Sequence, residues 1–319
     1  MDIEFHYYIT YILAEKAGFG PMESQTIAYS SQYVDDNNKQ YIINKNKADA
    51  YQNYISQTMN ILKPKREHLR IYPCFHFLPG EYRSTSARRA DNKVHVLNTT
   101  PNSKNANKLM NEALRTDNLY RIGIASHCYA DTWAHQNFVG CEDTFNELMG
   151  IIEAFIPNIG HADAFHNPDR TYLIWKDKRL VTTNRKIHNK QRFLEAAKDV
   201  FVKYCKHTDR RVKKQHLEER WNALKSKLIW AMGKERRNEG GGRKERIGRY
   251  QSIARDMKQY RRVTWFNQAI RLKGLRKKAN FNSSNWYKFQ EAVKEHQRIA
   301  IELLKPRFEQ IEFMEIENF

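Results

Sequence analysis

The stretch RIGIASHCYADTWAHQNFVG, residues 121–140, places His127, Asp131 and His135 at successive intervals of four residues. A step of four residues on an α-helix turns only about 40° beyond a full circle, so the three side chains share one face. Imidazole nitrogens and carboxylate oxygens are ligands that zinc accepts in proteins. Burying these groups among small and apolar neighbours is costly unless a metal or a full hydrogen-bond network satisfies them. The stretch therefore predicts a helix over residues 119–139 that carries metal ligands.

Length and hydropathy exclude several classes of protein. The chain of 319 residues is long enough for one large domain or two modest ones. It contains no apolar run of membrane-spanning length, and MDIEFHYYIT at residues 1–10 lacks the basic and apolar regions of a secretory signal. We therefore expect a soluble, cytoplasmic protein without a transmembrane segment.

Charge is distributed unevenly along the chain. Residues 1–170 contain 17 Lys and Arg against 19 Asp and Glu, whereas residues 171–319 contain 38 against 17. The whole basic excess thus lies downstream of the His-Asp-His stretch, which indicates separate roles for the two parts. We predict a metal-binding helical catalytic domain at 1–180 and a basic helical domain at 181–319 that binds nucleic acid or a partner protein.

Hydrophobic periodicity predicts a mainly α fold. Apolar residues recur at helical spacing through most of the chain, which favours a multi-helix bundle followed by a basic helical region. The exception is the pair TYLIW, residues 171–175, and RLVTT, residues 179–183, whose alternation predicts a short β-hairpin.

Further candidate ligands lie outside the opening stretch. A lone histidine on an apolar face is usually a core residue, but several in the first half of the chain lie beside carboxylates. These additional candidates are His6, Asp35, Asp36, His76, His161 and Asp163. Together with the opening three they exceed the four ligands that a closed structural zinc requires, which favours a catalytic centre with more than one ion.

Several short motifs carry a resemblance to a known group of proteins. HYYITY at 6–11, IAYSSQYVDDN at 27–37, HFLPG at 76–80 and GHAD at 160–163 resemble a bacterial family of unknown function. The order of the histidines and aspartates is similar to that in the superfamily of bacterial zinc-dependent phospholipases C and fungal single-strand-specific nucleases. The resemblance covers about residues 1–175.

The resemblance implies a ligand set for two zinc ions, with a third as an extension. The first ion would be held by His76, His127, Asp131 and either Asp35 or Asp36. The second would be held by His135 and His161; this chain has Phe165 where the superfamily has an acid, so Asp163, His166 or Asp169 would substitute. A third would be held by His6 and the N-terminal region, through the Met1 amine or Asp2, with Asp131 shared.

The expected chemistry is hydrolysis of a phosphodiester by a metal-activated hydroxide, with Asp131 and one of Asp35 and Asp36 as the catalytic carboxylates. A basic half with interleaved aromatic residues favours a nuclease acting on DNA or RNA. Helical spacing favours core positions for Trp221, Trp230 and Trp286. The residues expected to bind nucleic acid are Arg243, Lys244, Arg246, Arg249, Arg261, Arg262, Arg271 and Lys273.

Three alternatives remain open on the sequence alone. Anionic phospholipid would also attract the basic half, so a phospholipase C-like hydrolase at a membrane surface is the main competitor. A non-catalytic, metal-stabilised module could instead bind nucleic acid, a protein partner or a second copy of the chain. A phosphohydrolase of small nucleotides fits the ligands but leaves the basic half unexplained.

Overall fold

The computed structural model describes residues 1–58, 65–148, 159–238 and 240–311 and is mainly helical, as predicted. A π-helical segment, Glu4–Ile9, leads directly into the first α-helix. The α-helices are α1 (Thr10–Ala17), α2 (Pro21–Asp36), α3 (Lys65–Phe75), α4 (Lys104–Arg115), α5 (Leu119–Ala134), α6 (Asn189–Thr208), α7 (Lys214–Met232), α8 (Arg243–Ile253), α9 (Thr264–Ala269) and α10 (Asn285–Glu309). Short 3₁₀ turns cover Thr85–Ala87, Thr144–Asn146, Ala162–Ala164, Asn167–Asp169 and Phe281–Ser283.

The strands form short antiparallel pairs at the edges of the helical body. β1 (Ile42–Ile43) pairs with β2 (Tyr51–Gln52), β3 (Ile174–Lys176) with β4 (Lys186–His188), and β5 (Ile270–Arg271) with β6 (Arg276–Lys277). The predicted hairpin is right in its first strand and wrong in its second, because β3 pairs with 186–188 instead of 179–183. Asp177 and Arg179 form a buried ion pair that holds the segment between β3 and β4 in a loop.

The helix that carries the opening stretch begins and ends at identifiable residues. The side chain of Asn118 caps α5 by accepting hydrogen bonds from the backbone N–H groups of Tyr120 and Arg121. The helix ends at Ala134, five residues before the predicted end, and His135 is its C-cap residue. Asn137 then adopts a left-handed conformation with φ of 72°, which turns the chain away from the helix axis.

The packing of α2 against α5 dominates the interior. A Cβ added to Gly123 would lie 2.4 Å from the carbonyl oxygen of Ile27 and 2.5 Å from Cβ of Ser30. Glycine at this position therefore lets the two helices approach at backbone distance. This close crossing brings the last turn of α2 beside the middle of α5.

The larger of two buried hydrophobic clusters in the described residues crosses the predicted boundary at residue 180. α6 packs against α1 and α5, and α10 packs against α3 and α5. Phe5, Phe193, Trp286 and Leu304, from both sides of the boundary, belong to one buried cluster. The two predicted domains are therefore not separate packing units within the described residues. In the same part of the chain, no helix has both the length and the apolar character needed to cross a membrane.

Candidate metal centre

Asp131 is the central residue of the candidate site and is 1% exposed. His127 lies one turn before it on α5, and His135 follows at the helix end. The remaining members arrive from separate parts of the fold: His6 from the π-helical segment, Asp35 from the last turn of α2, His76 from just after α3, His161 from before a 3₁₀ turn and Asp169 from the end of another.

The first group joins Asp35, His76, His127 and one carboxylate oxygen of Asp131. Nε2 of His127 lies 3.1 Å from Nδ1 of His76, 3.2 Å from Oδ2 of Asp131 and 3.7 Å from Oδ1 of Asp35. Nδ1 of His76 lies 3.3 Å from the same Asp131 oxygen and 3.8 Å from Oδ1 of Asp35. Tetrahedral zinc with bonds of about 2.1 Å separates its ligand atoms by about 3.4 Å. The His76 and His127 nitrogens lie close to that separation from each other and from both carboxylates, at 3.1 to 3.8 Å.

The outer nitrogens of four imidazoles are held by backbone carbonyls. The pairs, at 2.8 to 2.9 Å, are His127 Nδ1 with Ser31, His76 Nε2 with Ser56, His135 Nδ1 with His76, and His161 Nδ1 with Phe165. We assign the ring proton to each outer nitrogen because a carbonyl can only accept. The inner nitrogens then carry lone pairs, and those of His76 and His127 face each other at 3.1 Å. Two lone pairs at this distance repel each other unless a cation or a shared proton lies between them. In a metal site, the metal ion between the histidine ligands is that cation.

His6 supplies a separate reason to consider a metal. Its ring is fully buried and stacks on His127 with ring centroids 3.7 Å apart. Neither ring nitrogen meets hydrogen-bond geometry with a described residue, although Nε2 lies 3.1 Å from Oδ1 of Asp131. Buried polar groups are nearly always satisfied in folded proteins, so a ligand at His6 would account for an otherwise costly arrangement.

The acid of the second group is Asp169. Nε2 of His135 lies 3.1 Å from Oδ1 of Asp169, and Nε2 of His161 lies 3.5 Å from its Oδ2. His135, His161 and Asp169 are one of three His and Asp groups in the described residues whose potential ligand atoms lie within 4.8 Å of one another. Of the three substitutes considered for the acid, the structure thus brings Asp169 into the group.

Two predicted ligands lie outside these groups. Oδ2 of Asp163 accepts a hydrogen bond from the backbone N–H of Leu148 at 3.3 Å, so this carboxylate binds the loop that contains Leu148. Asp36 faces the basic half, where it accepts from Tyr260 Oη at 2.7 Å and pairs with Arg262 Nε at 3.3 Å. The structure thus brings Asp35, and not Asp36, beside His76 and His127, because adjacent helical residues point about 100° apart.

The N-terminal amine lies within the cluster. It contacts Oδ1 of Asp131 and lies 3.3 Å from Oδ1 of Asp169 and 3.4 Å from Nε2 of His135. Burial lowers the pKa of this amine, but the two carboxylates outweigh burial and raise it to about 10. Asp2, the other alternative for a third site, instead pairs with Arg243 at 2.7 Å.

Burial and neighbouring charges drive the carboxylate pKa values in opposite directions. Burial raises the pKa of Asp35 to about 8, even though 26% of its side chain remains exposed. Burial opposes ionisation of Asp131 as well, but His135 and the Met1 amine hold its pKa well below the usual value. The pKa of Asp169 is lowered in the same way, with His161 overcoming the effect of burial. The centre therefore contains two firmly ionised carboxylates and one that retains a proton more readily.

Several residues predicted to bind nucleic acid have partners inside the protein. Arg246 is 6% exposed and makes two hydrogen bonds of 2.8 Å to the buried carboxylate of Glu4. Arg243 pairs with Asp2, and Arg262 with Asp36. The prediction for Arg246 is wrong because its guanidinium is enclosed between Glu4 and the ring of Tyr172.

Other basic residues remain on the surface. Lys244, Arg261, Arg271 and Lys273 are exposed, and Arg249 is half-buried with a hydrogen bond to the carbonyl oxygen of Trp230. Trp221 and Trp286 are core residues as predicted, but the core prediction for Trp230 is wrong, because 55% of this residue is exposed. Trp230 lies at the end of α7, where its ring faces Arg249.

Sequence reasoning missed the Glu4–Arg246 ion pair, which links residues 242 positions apart. No local signal marks such a pair. The one available clue was the acid two residues before His6 in the segment Glu4–Ile9.

Comparison with known proteins gives a family and no characterised relative. No curated protein and no solved structure matches the chain. One family profile matches residues 1–304, which is nearly the whole chain and spans both of its predicted parts. The chain belongs to this family, described as a family of unknown function (DUF6765).

Proposed function

We propose that the protein is a zinc-dependent phosphodiester hydrolase. The observation that carries the proposal is the convergence of the inward-facing nitrogens of His76 and His127 on Asp131, with their outer nitrogens held by backbone carbonyls. Asp35, His76 and His127 form one group of potential ligands, with Asp131 beside both histidines, and His135, His161 and Asp169 form another. More ligands are present than a closed structural ion needs, which favours catalysis over a purely structural site.

The buried and the partly exposed side chains of the site would have different roles in the reaction. When bound, zinc supplies Lewis acidity that lowers the pKa of water and polarises a phosphoryl oxygen. Asp131, buried and ionised, holds the histidines of both groups in place. Asp35 is the member of the first group that is partly exposed, so its carboxylate can orient water at the mouth of the site and accept its proton.

Nucleic acid is the substrate we favour. Lys244, Arg261, Arg271 and Lys273 present exposed cations for a phosphate backbone, and Trp230 presents an exposed ring on which a base can stack. The second candidate is an anionic phospholipid. It is favoured by Leu272, which is 67% exposed between Arg271 and Lys273 at the tip of the β5–β6 hairpin, an arrangement suited to a lipid surface.

Metal analysis and hydrolysis assays test this proposal together. Purified protein should contain at least one zinc per chain and should cleave single-stranded DNA or RNA, and chelation should abolish cleavage. His127→Ala and Asp131→Asn should lose zinc and activity, whereas His216→Ala, which changes an exposed histidine, should behave as wild type. Cleavage of phospholipid vesicles without cleavage of nucleic acid would favour the second candidate. A folded wild-type protein with no bound metal would refute both.

A further inference from the structure

Glu4 and Arg246 form a buried ion pair at the edge of the candidate metal centre. The side chain of Glu4 is fully buried, and that of Arg246 is 7% exposed. Two hydrogen bonds of 2.8 Å join the guanidinium to the two carboxylate oxygens. The guanidinium lies over the Tyr172 ring, with its central carbon 4.1 Å from the ring centroid.

The carboxylate of Glu4 joins three segments of the chain. It belongs to the π-helical segment that carries His6, two residues further on. Its Oε2 accepts weakly, at 3.4 Å, from Thr171 Oγ1, and Thr171 follows Asp169 by two residues. The third segment is α8, which supplies Arg246. Two of the three segments thus carry candidate ligands, and the third belongs to the basic half.

The π-helical geometry makes the position of His6 sensitive to such a contact. A π-helix holds more residues per turn than an α-helix, and a shift of register by one residue would rotate a side chain by roughly a quarter of a turn. His6 would then turn away from Asp131 Oδ1, which its Nε2 approaches to 3.1 Å. The bidentate contact at Glu4, the first residue of the segment, opposes this shift because it has one favourable orientation.

General stability is a weaker explanation for the pair. Burying two charges costs desolvation that their attraction often only balances, and apolar residues of similar size would pack as well. Apolar packing lacks the directional preference of a bidentate pair. The placement of Glu4 between two ligand-bearing segments therefore points to a geometric role.

We infer that Glu4 and Arg246 are positioning residues for the metal centre, through which α8 of the basic half holds His6 and the Asp169 segment in their ligand positions. The inference rests on the proposed zinc centre. It assigns part of the basic half to metal binding, a role separate from contact with an anionic substrate.

Zinc affinity, measured by competition with a chromogenic chelator, tests this inference. Glu4→Gln and Arg246→Met should weaken zinc binding by about 10- to 100-fold, the range for residues that orient metal ligands. Arg246→Lys keeps the charge and should recover part of the affinity. The matched control is Asp177→Asn with Arg179→Met, which removes another buried ion pair, whose other hydrogen bonds go to backbone atoms of residues 145, 146 and 179. The control should retain wild-type affinity.

A second measurement separates positioning from loss of fold. Thermal unfolding with and without zinc should show that zinc stabilises the wild type and the Asp177/Arg179 control equally, and the Glu4 and Arg246 variants less. Equal zinc affinity in folded wild type, Glu4→Gln and Arg246→Met would overturn the inference while leaving the zinc proposal intact. Absence of zinc binding by the wild type would instead overturn the proposed function.

Discussion

At the scale of single residues, neighbours in sequence have different tasks in the fold. Asp35 and Asp36 are adjacent, yet one lies beside His76 and His127 and the other pairs with Tyr260 and Arg262. The helical rotation between consecutive residues accounts for the division. Composition alone treats the two aspartates as equivalent, whereas their surroundings make one a candidate ligand and the other a link to the basic half.

Asp169 and Asp163 provide a direct test of the second group. Asp169→Asn should weaken binding of the second zinc by more than about 100-fold, because loss of a ligand exceeds the effect of losing an orienting residue. Asp163→Asn should leave zinc content unchanged, because Asp163 accepts from the backbone of Leu148. Zinc content by atomic emission measures both. The reverse pattern would show that Asp163 is the ligand.

His296 predicts a specific dependence of stability on pH. It is fully buried on α10, with Nε2 3.1 Å from the carbonyl oxygen of Cys74, and burial together with Arg121 lowers its pKa to about 3. Below the unfolded pKa of about 6.5, the unfolded chain takes up a proton that the folded chain refuses, so stability falls as pH falls. At pH 5 the buried, neutral His296 therefore lowers the free energy of unfolding by about 2 kcal/mol relative to neutral pH.

Urea unfolding at pH 7 and pH 5 measures this contribution. His296→Gln should lose about 2 kcal/mol less stability than wild type between the two pH values, because the titrating group is gone. His216→Gln, on an exposed surface, should lose as much as wild type. Identical losses in wild type and His296→Gln would show that His296 does not titrate on unfolding.

At the scale of elements, the α2–α5 crossing determines whether the first group can form. α2 supplies Asp35, and the carbonyl oxygen of Ser31 that fixes the His127 ring; α5 supplies His127 and Asp131. The distance between the two helices is set at Gly123. Gly123 and the candidate metal centre are thus coupled through one helix contact.

Gly123→Ala should separate the two helices. The added Cβ would meet backbone and Cβ atoms at 2.4 and 2.5 Å, so we expect a loss of about 1–3 kcal/mol in the free energy of unfolding and weaker zinc binding. The control is Gly248→Ala on α8, where a Cβ meets nothing within 4 Å and alanine should stabilise by about 0.5–1 kcal/mol. Chemical denaturation and zinc titration measure both effects. Unchanged zinc affinity in Gly123→Ala would separate the glycine from the site.

At the scale of the whole molecule, some basic residues of the second half pair with acids of the first half, and others are exposed to solvent. Arg246 and Arg262 neutralise acids of the N-terminal half, and Tyr29 donates to the backbone carbonyl of Arg261. The exposed cations that remain lie on the outer surface, as on the β5–β6 hairpin. Part of the large positive charge thus joins the two halves, and the rest faces solvent.

The exposed cations predict a salt-dependent affinity for nucleic acid. Arg271→Gln with Lys273→Gln should reduce the slope of log affinity against log salt by about one for each phosphate that is no longer neutralised, without changing zinc content. Arg298→Gln, which removes an exposed cation paired with Glu302, should leave the slope unchanged. Fluorescence anisotropy with labelled single-stranded DNA at several salt concentrations measures the slopes. Equal slopes in wild type and the double variant would remove the hairpin from the binding surface.

Features that depend on residues close together in the sequence were predictable, and features that depend on residues far apart were not. The helix carrying His127 and Asp131 was predictable because its periodicity is local, and its end was misplaced because Asn137 turns the chain earlier than the apolar pattern indicates. The internal partners of Arg243, Arg246 and Arg262 were not predictable, because each pairs with an acid more than 200 residues away.

The sequence by itself determined the helical class, the shared face of His127 and Asp131, and the set of residues from which a metal centre could be built. Helical periodicity and ligand chemistry are properties of short segments, so they are readable without a fold. Only the tertiary structure placed Asp35 instead of Asp36 beside His76, brought Asp169 beside His135 and His161, and enclosed Arg246 against Glu4. Those outcomes depend on how separate helices and loops pack against one another, and that packing sums contacts between residues far apart in the chain.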